Sequence, residues 1–595
     1  MVSGSGTSGD PYILSSFADL ELIGTTGYET SKYFKLGANI DASPTADPGY
    51  ESGAGWVPRS SLSGSFDGDG YTISGLYINR PTTDGVGLFT ACTGTIKNIT
   101  MASVNITGQS NTAALSGSGG GTFQYCVVSG SINGYNYVGG VLGYSNRGGA
   151  GGAWLLAMSY CSSSATITGN SNVGGILGGS NFYGVNGYLN YCSNTGTING
   201  VNNVGGILGF FGYYAGSSYI TNSSIAGTIN CSGNQAGGLA GQTCGRVENT
   251  NSTALVTVNG SATSDYIGGM IGQAVLYGSS GTHCLNVLTG DIEVKVNGNT
   301  CIGGVLGYSA FTGVRISINT IDVNGEISGN SYVGGLVGDG GVYNAGTIIT
   351  SCTVIGSVTG TGDYIGGIAG RMSGSITDIT LTDELGIVSE ATSNYVGGLI
   401  GSVRLSGPPG FLIISLDECH VSLDLQGYQY VGGLIGKAGD GNNGIAGNID
   451  TCSYVGTLVG TNYVAGLIGY STLTSSFPII LSFSRGSIIA TGNYIGGLFG
   501  YARGIQPINC YSQMDVEGNQ YIAGLVGNLT HSLSVITNCY SCGVVNGDSN
   551  AGGMVGAIED IPTAIHSYWD TEASGQATSA LGTPLTSDQM KCLGG

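Results

Sequence analysis

The strongest constraint on the fold is a seven-residue phrase that recurs along the chain. Its first position is an aromatic or polar residue, its second Val, Ile or Ala, and its third Gly or Ala. A glycine, two aliphatic residues and a final glycine complete it, and residues 137–143 (YVGGVLG) are its first intact copy. The later copies place their first glycine or alanine at Gly174, Gly205, Gly237, Gly268, Gly303, Gly334, Gly366, Gly397, Gly432, Ala465, Gly496, Ala523 and Gly552. Neighbouring copies such as those at Gly174 and Gly205 lie 31 residues apart. A fixed period of this length indicates a solenoid, a propeller or an array of stacked units.

Each repeat unit has the pattern of short β-strands. In residues 430–463, three β-branched or aliphatic runs are separated by Gly, Asn, Ser and Thr, and no helical period is visible. Stacking such units about 4.8 Å apart in parallel would bury one continuous core. The sequence therefore predicts an all-β fold, a right-handed parallel β-helix of about 14 to 16 coils. One coil per repeat gives a length of about 70 Å and two coils double it, and the sequence leaves both open.

Seven cysteines share one position relative to the phrase. Each lies thirteen residues before the first glycine or alanine of a copy, and they are Cys126, Cys161, Cys192, Cys419, Cys452, Cys510 and Cys539. Phe483 and Leu255 have the same offset, which indicates an inward position that exchanges Cys with larger apolar residues. We expect a ladder of mostly free, buried thiols, because side chains in a ladder point the same way and disfavour the torsion of a disulfide. Whether some neighbours are bridged stays open.

The first residue of the phrase is often tyrosine. Tyrosine stands there at 137, 266, 332, 364, 395, 430, 463, 494 and 521, and Asn or Gln replaces it in several other copies. This exchange indicates a position that is at least half exposed. Two interpretations stay open for a tyrosine ladder: rings that stack between coils and stiffen the sheet, which we favour, and a platform for sugar rings.

Composition excludes several classes of function. Charged residues make up 8% of the chain and the formal net charge is −20, so a basic surface for nucleic acid is not expected. No apolar run is long enough to span a membrane. A surface rich in Ser, Thr, Asn and Gly suits an extracellular protein on a cell or a virion. Residues 1–6 show no signal peptide, so we expect either that one was removed or that none is used.

The phrase divides the chain into three segments. Residues 1–110 are expected to form an N-terminal cap with the first coils, residues 111–556 the regular solenoid, and residues 557–595 a C-terminal cap. The phrase itself, residues 66–73 (FDGDGYTI), residues 509–512 (NCYS) and residues 567–571 (SYWDT) together resemble GLUG-repeat proteins. This resemblance implies a β-helical fold and an extracellular, adhesin-like role of the kind found in filamentous-haemagglutinin-like proteins. It implies no catalytic residues.

Candidate catalytic and metal-binding residues are sparse. The four histidines, His283, His420, His531 and His566, stand far apart without metal-ligand spacing, so we expect no metal and no cofactor. Residues 67–70 (DGDG) resemble part of a calcium loop, but a tight turn explains them better. Carboxylates such as Asp417, Glu418, Asp440, Glu559 and Asp560 keep a polysaccharide depolymerase as an alternative. We nevertheless expect that the chain is not an enzyme.

The favoured function is a receptor-binding one. Loops of unequal length follow the phrase, and loops on a rigid scaffold commonly carry binding residues. The aromatic residues in two of these loops are the candidate contacts, namely Phe182, Tyr183, Phe210, Phe211, Tyr213 and Tyr214. They predict an adhesin or receptor-binding fibre that contacts cell-surface glycan or protein. A structural filament, sheath or spacer subunit is the main alternative, and either can form homo-oligomers.

Overall fold

The computed structural model shows a solenoid built from parallel strands. It describes residues 2–147, 156–182, 187–212, 218–243, 245–275, 285–309, 316–340, 346–403, 413–439 and 446–591. The strands stack into a parallel β-solenoid of about 15 turns, which confirms the predicted fold class. The chain divides into two compact units, Met1–Asn297 and Gly298–Gly595, and each is a stack of coils.

Among the described residues of the first unit, helices occur only near the N-terminus. These are the α-helix Phe17–Glu21 and the 3₁₀ helices Ser43–Ala46 and Tyr50–Gly53. Its strands are Tyr12–Leu14, Tyr33–Leu36, Ile40–Asp41, Ser65–Asp67, Thr72–Ser74, Tyr77–Asn79, Phe89–Cys92, Thr95–Thr107, Ser110–Thr112, Ser116–Gly119, Thr122–Asn133, Asn136–Gly139, Leu142–Arg147, Leu156–Ser159, Ser162–Ser163, Thr166–Thr168, Ser171–Gly174, Leu177–Phe182, Gly187–Asn190, Ser193–Asn194, Thr197–Gly200, Asn202–Gly205, Leu208–Gly212, Ser218–Thr221, Ser224–Cys231, Ala236–Gly237, Ala240–Thr243, Gly245–Glu248, Asn251–Gly260, Ile267–Gly268, Ile271–Ala274 and Leu285–Asn297.

The second unit ends in two short α-helices, Thr571–Ser574 and Ser587–Lys591. Its strands are Thr300–Gly303, Leu306–Ser309, Ile316–Gly329, Ser331–Gly334, Val337–Asp339, Thr347–Thr350, Thr353–Gly360, Ile365–Gly366, Ala369–Met372, Gly374–Leu381, Leu385–Ser389, Val396–Gly397, Ile400–Val403, Ile413–Ser422, Leu425–Gln426, Gln429–Gly432, Ile435–Ala438, Ala446–Asp450, Ser453–Gly460, Asn462–Ala465, Ile468–Ile480, Phe483–Ala490, Asn493–Gly496, Phe499–Ile508, Tyr511–Ala523, Val526–Thr530, Val535–Thr537, Tyr540–Ser541, Val545–Gly552, Val555–Ile558, Thr563–Ile565, Tyr568–Asp570 and Thr583–Leu585.

One repeat of the sequence makes one coil. Gly174 pairs in parallel with Gly205, and Gly432 pairs with Ala465, so equivalent positions of successive phrases lie directly above one another. Inside the coil the apolar residues of the phrase point inward: Val173, Ile176 and Leu177 are fully buried. Burying each such side chain contributes about 1.5–3 kcal/mol, and the ladders continue this core from coil to coil. The alternative of one coil per repeat is therefore confirmed, and that of two coils per repeat is excluded for these repeats.

Each regular coil turns at residues in the left-handed backbone conformation. The first residue of the phrase is one of them, with φ of 55° at Tyr137, 60° at Asn172 and 52° at Asn203. Asparagine adopts this conformation readily, whereas other non-glycine residues pay about 1–2 kcal/mol for it. Tyr430 and its equivalents therefore need a compensating interaction, which their ring contacts supply.

The last glycine of the phrase is required by close contact between coils. A Cβ on Gly178 would lie 2.6 Å from the carbonyl oxygen of Gly143 and from the carbonyl carbon of Tyr137. Every intact copy of the phrase keeps glycine at this place, although the third position of the phrase accepts alanine, as at Ala465 and Ala523. Backbone atoms of the coil below fill the space that a side chain would need.

Both ends of the chain bury a tryptophan. Trp56 is fully buried and donates its indole N–H to the carbonyl of Leu88 at 3.1 Å. Trp569 is 4% exposed and donates to the carbonyl of Gln576 at 3.0 Å, while strand Thr583–Leu585 pairs with Tyr568–Asp570. Both tryptophans are thus held by contacts within their own segments, and the assignment of residues 1–110 and 557–595 as caps stays a prediction. None of the helices among the described residues has the length and apolar character needed to cross a bilayer.

Replacing Gly401 by Ala should destabilise the solenoid. Its Cβ would meet the carbonyl oxygens of Gly370 and Tyr395 and the amide of Ile365, all at 2.6 Å, so we expect a cost of about 1–3 kcal/mol from overpacking. Thermal unfolding followed by circular dichroism measures the change. Gly386→Ala is the matched control, because its nearest neighbour lies 3.7 Å away. Equal melting temperatures for the two variants would contradict this account of the phrase.

Candidate binding surface

The seven cysteines of the predicted ladder are all buried. Cys126, Cys161 and Cys192 occupy successive coils, are at most 1% exposed and carry free thiols. Their thiols donate to backbone carbonyls, as from Cys161 to Phe123 at 3.6 Å. Elsewhere burial raises the pKa of Cys231 and Cys352 to about 11, which keeps these thiols protonated. Such groups are packing residues and poor nucleophiles.

Two residues assigned to this ladder from their offset were placed wrongly. Ser482, and not Phe483, stacks on Cys452, since the Ser482 hydroxyl accepts the Cys452 N–H at 3.1 Å. Phe483 lies one residue further along the chain and is half-buried. Leu255 is 45% exposed. The turns before the following phrases contain extra residues, which increase the distance in sequence between the ladder position and the phrase. A constant offset therefore identifies the ladder only where these turns are equally long.

The loop aromatics proposed as contacts are not brought together by the described structure. Tyr183, Tyr213 and Tyr214 lie outside the described residues, as does the side chain of Phe182. Phe210 is half-buried on the strand that follows the phrase, and Phe211 points into the core with 1% exposure. Phe211 thus offers no surface to a ligand, and the other assignments stay predictions.

The candidate acids and histidines do not form a reactive cluster. In the described part of the chain, no three His, Cys, Asp or Glu side chains converge on a metal position. Asp417, Glu418 and Glu559 are exposed, Asp440 lies outside the described residues, and His420 contacts the hydroxyl of Ser453 at 2.8 Å.

The aspartates of residues 67–70 form a turn, as expected. Asp67 accepts the Asp69 N–H at 2.9 Å and the amide of Asn98 at 3.0 Å, and it pairs with Lys97 at 3.1 Å. Its carboxylate is therefore occupied by protein groups.

A short tyrosine ladder in the first unit exposes aromatic rings to solvent. It consists of Tyr125, Tyr160 and Tyr191, which are 52%, 44% and 46% exposed. Neighbouring rings stack with centroids 4.7 Å apart and planes within 7°. These residues directly precede Cys126, Cys161 and Cys192 and form a second left-handed corner. The recurrent Tyr-Cys pair is visible in the sequence, but only its cysteine was assigned a position, and the exposure of the preceding tyrosine was not predicted.

A long tyrosine ladder runs along the second unit at the first residue of the phrase. It consists of Tyr332, Tyr364, Tyr395, Tyr430, Tyr463, Tyr494 and Tyr521, all half-buried. Successive centroids are 4.5–4.9 Å apart, and the planes differ by 1–9°. The interpretation of these tyrosines as stacked rings is confirmed. Aromatic pairs of this kind contribute about 0.5–1.5 kcal/mol each, which offsets the cost of the left-handed corner.

A second row of tyrosines packs against the long ladder. Tyr470 and Tyr501 stack on each other at 5.0 Å and meet the rings of Tyr430, Tyr463 and Tyr494 at 81–88°. The planes of stacked rings lie roughly 3.5 Å apart, whereas neighbouring coils lie about 4.8 Å apart. The rings must therefore tilt by about 45° relative to the stacking axis of the coils to remain in contact. Two adjacent rows that tilt in opposite directions then meet at nearly a right angle. This geometry produces a herringbone surface.

Two cations sit on this aromatic surface. The Arg371 guanidinium lies 4.3 Å from the ring centre of Tyr332 and donates to the buried carboxylate of Asp339 at 2.6 Å. The Lys437 ammonium lies 5.4–5.7 Å from the rings of Tyr395, Tyr430 and Tyr470. These contacts are cation–π interactions, and the charge of Arg371 is balanced by Asp339.

The stacking limits what the long ladder can contact. Each inner ring has its faces against its neighbours, so it presents an edge and a hydroxyl to solvent. Burial raises the pKa of Tyr463 to about 12 and also raises that of Tyr430, so these hydroxyls remain neutral donors and acceptors. The surface is suited to hydrogen-bonding a polar, extended ligand along the ladder.

Comparisons with known proteins match parts of the chain. No family model matches it. A stretch of 147 residues, 24% of this chain, is 36% identical to 2% of halomucin from Haloquadratum walsbyi. A stretch of 113 residues, 18% of this chain, is 32% identical to 12% of an Evansella cellulosilytica protein provisionally named a Gly-rich membrane protein. The chain thus spans a small fraction of the length of these curated relatives, and the resemblance to GLUG-repeat proteins stays a prediction.

One solved structure also shows a weak similarity. A Bacteroides ovatus protein, provisionally named an immunoglobulin A1 protease, aligns with a TM-score of 0.36 and 20% identity. The alignment covers 49% of this chain and 86% of that one. A similarity of this size supports no inference about activity.

Alkaline pH should unfold the second unit through its tyrosines. Tyr463 ionises near its usual pKa of 10.0 when unfolded and only at about 12 when folded, because the folded state buries the phenol. Stability is therefore complete below pH 10 and decreases as the pH rises toward 12. Near-ultraviolet absorbance of the phenolate and circular dichroism should change together in this range. Tyr463→Phe removes this ionisation and should shift the transition to higher pH; an unchanged transition in this variant would contradict the assignment.

Proposed function

We propose that this chain is a segment of a non-enzymatic extracellular adhesin that presents the long tyrosine ladder to a glycan on another surface. The observation that carries the proposal is the long tyrosine ladder from Tyr332 to Tyr521, with Arg371 and Lys437 over its rings. Its hydroxyls repeat at the spacing of the coils and follow one line along the unit. An extended carbohydrate offers many hydroxyls along a line and suits such a row.

Rigidity supports this function. Parallel pairing holds each ladder residue in register with the next, as Val431 pairs with Val464 and then Val464 with Ile495. A preformed surface loses little conformational entropy on binding. Weak contacts at several coils can therefore add up to useful affinity. The Lys437 ammonium, which lies over three of the rings, favours a glycan that carries carboxylate or sulfate groups, whereas the charge of Arg371 is balanced by Asp339.

The names of the matched relatives are compatible with a role outside the cell. One is halomucin and the other carries the name of a membrane protein. Because only a small part of each is matched, attachment to a cell surface or to a virion belongs to the proposal. The loops that include Tyr183, Tyr213 and Tyr214 would add contacts to surface protein.

A structural filament or sheath subunit is the second candidate. The specific observation in its favour is that the ring faces of the long ladder are already occupied by one another. Stacking of this kind stabilises a scaffold without any ligand. Such a subunit would assemble in an ordered way and bind no glycan.

The test replaces three ladder tyrosines by asparagine. Tyr395→Asn, Tyr430→Asn and Tyr463→Asn together remove the rings and keep the left-handed corner, because Asn172 and Asn203 occupy that corner elsewhere with an inter-coil hydrogen bond of 2.8 Å. We expect binding to an immobilised glycan array to fall by about tenfold or more, since each lost contact contributes about 0.5–1.5 kcal/mol.

The matching triple Tyr→Phe variant separates hydroxyls from rings. It keeps the stack and removes only the hydrogen-bonding groups, so its binding should weaken as well. Circular dichroism must show that both variants are folded. Array binding that is absent in the unaltered protein, together with ordered filaments in electron microscopy, would overturn the adhesin in favour of the structural subunit.

A further inference from the structure

A third aromatic stack in the second unit ends at an open ring face. Phe483 stacks on Tyr511 with centroids 4.9 Å apart, and Tyr511 stacks on Tyr540 at 5.1 Å, with planes within 4°. The backbone continues the same register, because Tyr540 pairs with Tyr568 in the next coil. The ring of Tyr568 nevertheless makes no stacking contact with Tyr540. Among the described residues, the second face of Tyr540 thus has no aromatic partner.

A cleft lies at this interruption. Its volume is about 760 Å³, and Tyr540 and Tyr568 line it together with Met590 of the terminal helix Ser587–Lys591. Binding sites for small ligands commonly have volumes of about 300–1,000 Å³ and largely apolar walls. The cleft therefore has the size and the lining of a binding site at the point where one ring of the stack is missing.

Six polar side chains also line the cleft, namely Gln513, Asn538, His566, Asp570, Ser587 and Lys591. Gln513 accepts a hydrogen bond from Arg485 at 2.8 Å, and Lys591 pairs with Asp588 at 3.0 Å. Asn538 donates its amide to Asn509 at 3.1 Å, which leaves its carbonyl oxygen available as an acceptor. His566 also lines the cleft, and its imidazole makes no hydrogen bond with other described residues. The carboxylate of Asp570 is occupied, since it accepts the Ser587 hydroxyl at 2.8 Å and two backbone N–H groups. The cleft can therefore accept a hydroxyl or an indole N–H at the rim of a ring.

The sulfur atoms favour the same class of ligand. Cys542 lines the cleft and its thiol is partly exposed, and Met590 presents a thioether. Sulfur makes favourable contacts with the edges of aromatic rings.

We propose that the cleft binds a planar aromatic group, which stacks on the open face of Tyr540 as the next ring of the Phe483–Tyr511–Tyr540 stack. The group is either a Tyr or Trp side chain of a partner protein or a free aromatic compound. This inference is independent of the glycan proposal, because it uses a different stack and a different surface.

The experiment titrates the full chain with p-cresol, indole, N-acetyl-tyrosinamide and N-acetyl-tryptophanamide by saturation-transfer NMR and calorimetry. Saturable binding that competes among these probes is expected. Tighter binding of the acetylated amides would identify a side chain of a partner protein as the ligand. Equal or tighter binding of p-cresol or indole would identify a free aromatic compound as the ligand. Methyl glucoside is the non-aromatic control, and comparable binding of it would overturn the assigned class.

Variants locate the site. Tyr540→Ala should weaken binding about tenfold, whereas Tyr540→Phe should keep it within about threefold because the ring face remains. Met590→Ala lies on the terminal helix outside the core and should weaken binding as well, which covers the case in which Tyr540→Ala does not fold. Tyr191→Ala, in the first unit, should change nothing. Unaltered binding in both Tyr540→Ala and Met590→Ala, or no binding to the unaltered protein, would overturn the proposal.

Discussion

The parallel hydrogen-bonded contact between coils is the interaction on which the rest of the structure depends. It holds neighbouring backbones about 4.8 Å apart and places equivalent residues of successive repeats directly above one another. Each position of the repeat therefore becomes a ladder, with Val173 on Val204 in the core and Tyr430 on Tyr463 at the surface. A side chain is favoured at such a position when it packs well against the equivalent side chain of the next coil. The glycine that ends each phrase follows from the same constraint, because backbone of the coil below occupies the space of its Cβ.

The left-handed corner explains an exchange that otherwise looks arbitrary. Some copies of the phrase begin with tyrosine and others with asparagine, and both residues have positive φ there. Asparagine suits the conformation itself and links coils through its amide, as Asn203 does to Asn172. Tyrosine is strained at the corner, but its ring gains a stacking partner in the next coil. The two residues thus solve the same problem by different interactions, which is why Tyr→Asn is the least disruptive way to remove a ring.

The period alone was enough to predict the fold, because a repeat of short strands has few ways to bury its apolar faces. It also located the thiol ladder, since Cys126 stands as many residues before Gly139 as Cys161 stands before Gly174. The assignment failed at Phe483, where the turn before the next phrase contains Thr491 and Gly492 in place of Thr461 alone. A turn absorbs an extra residue without changing the strands, so position along the chain no longer gives position in the coil. The tilt of the tyrosine rings and the open face of Tyr540 depend on side-chain torsions, which a sequence pattern does not specify.

The scarcity of charge in this chain follows from the same stacking. In a parallel, in-register ladder, a charged residue that recurs in each repeat meets the same charge about 4.8 Å away, a repulsion of about 0.9 kcal/mol per pair even in bulk water. Repeats that resemble one another therefore favour Asn, Ser, Thr and Tyr at exposed positions. Opposite charges face each other in register at two places, where Asp67 pairs with Lys97 and Asp339 pairs with Arg371. Like charges meet in register where Asp417 pairs with Asp450, and both of these repeats bear that repulsion at the surface. A surface built under this rule presents mainly neutral hydrogen-bonding groups and aromatic rings, as the long tyrosine ladder does.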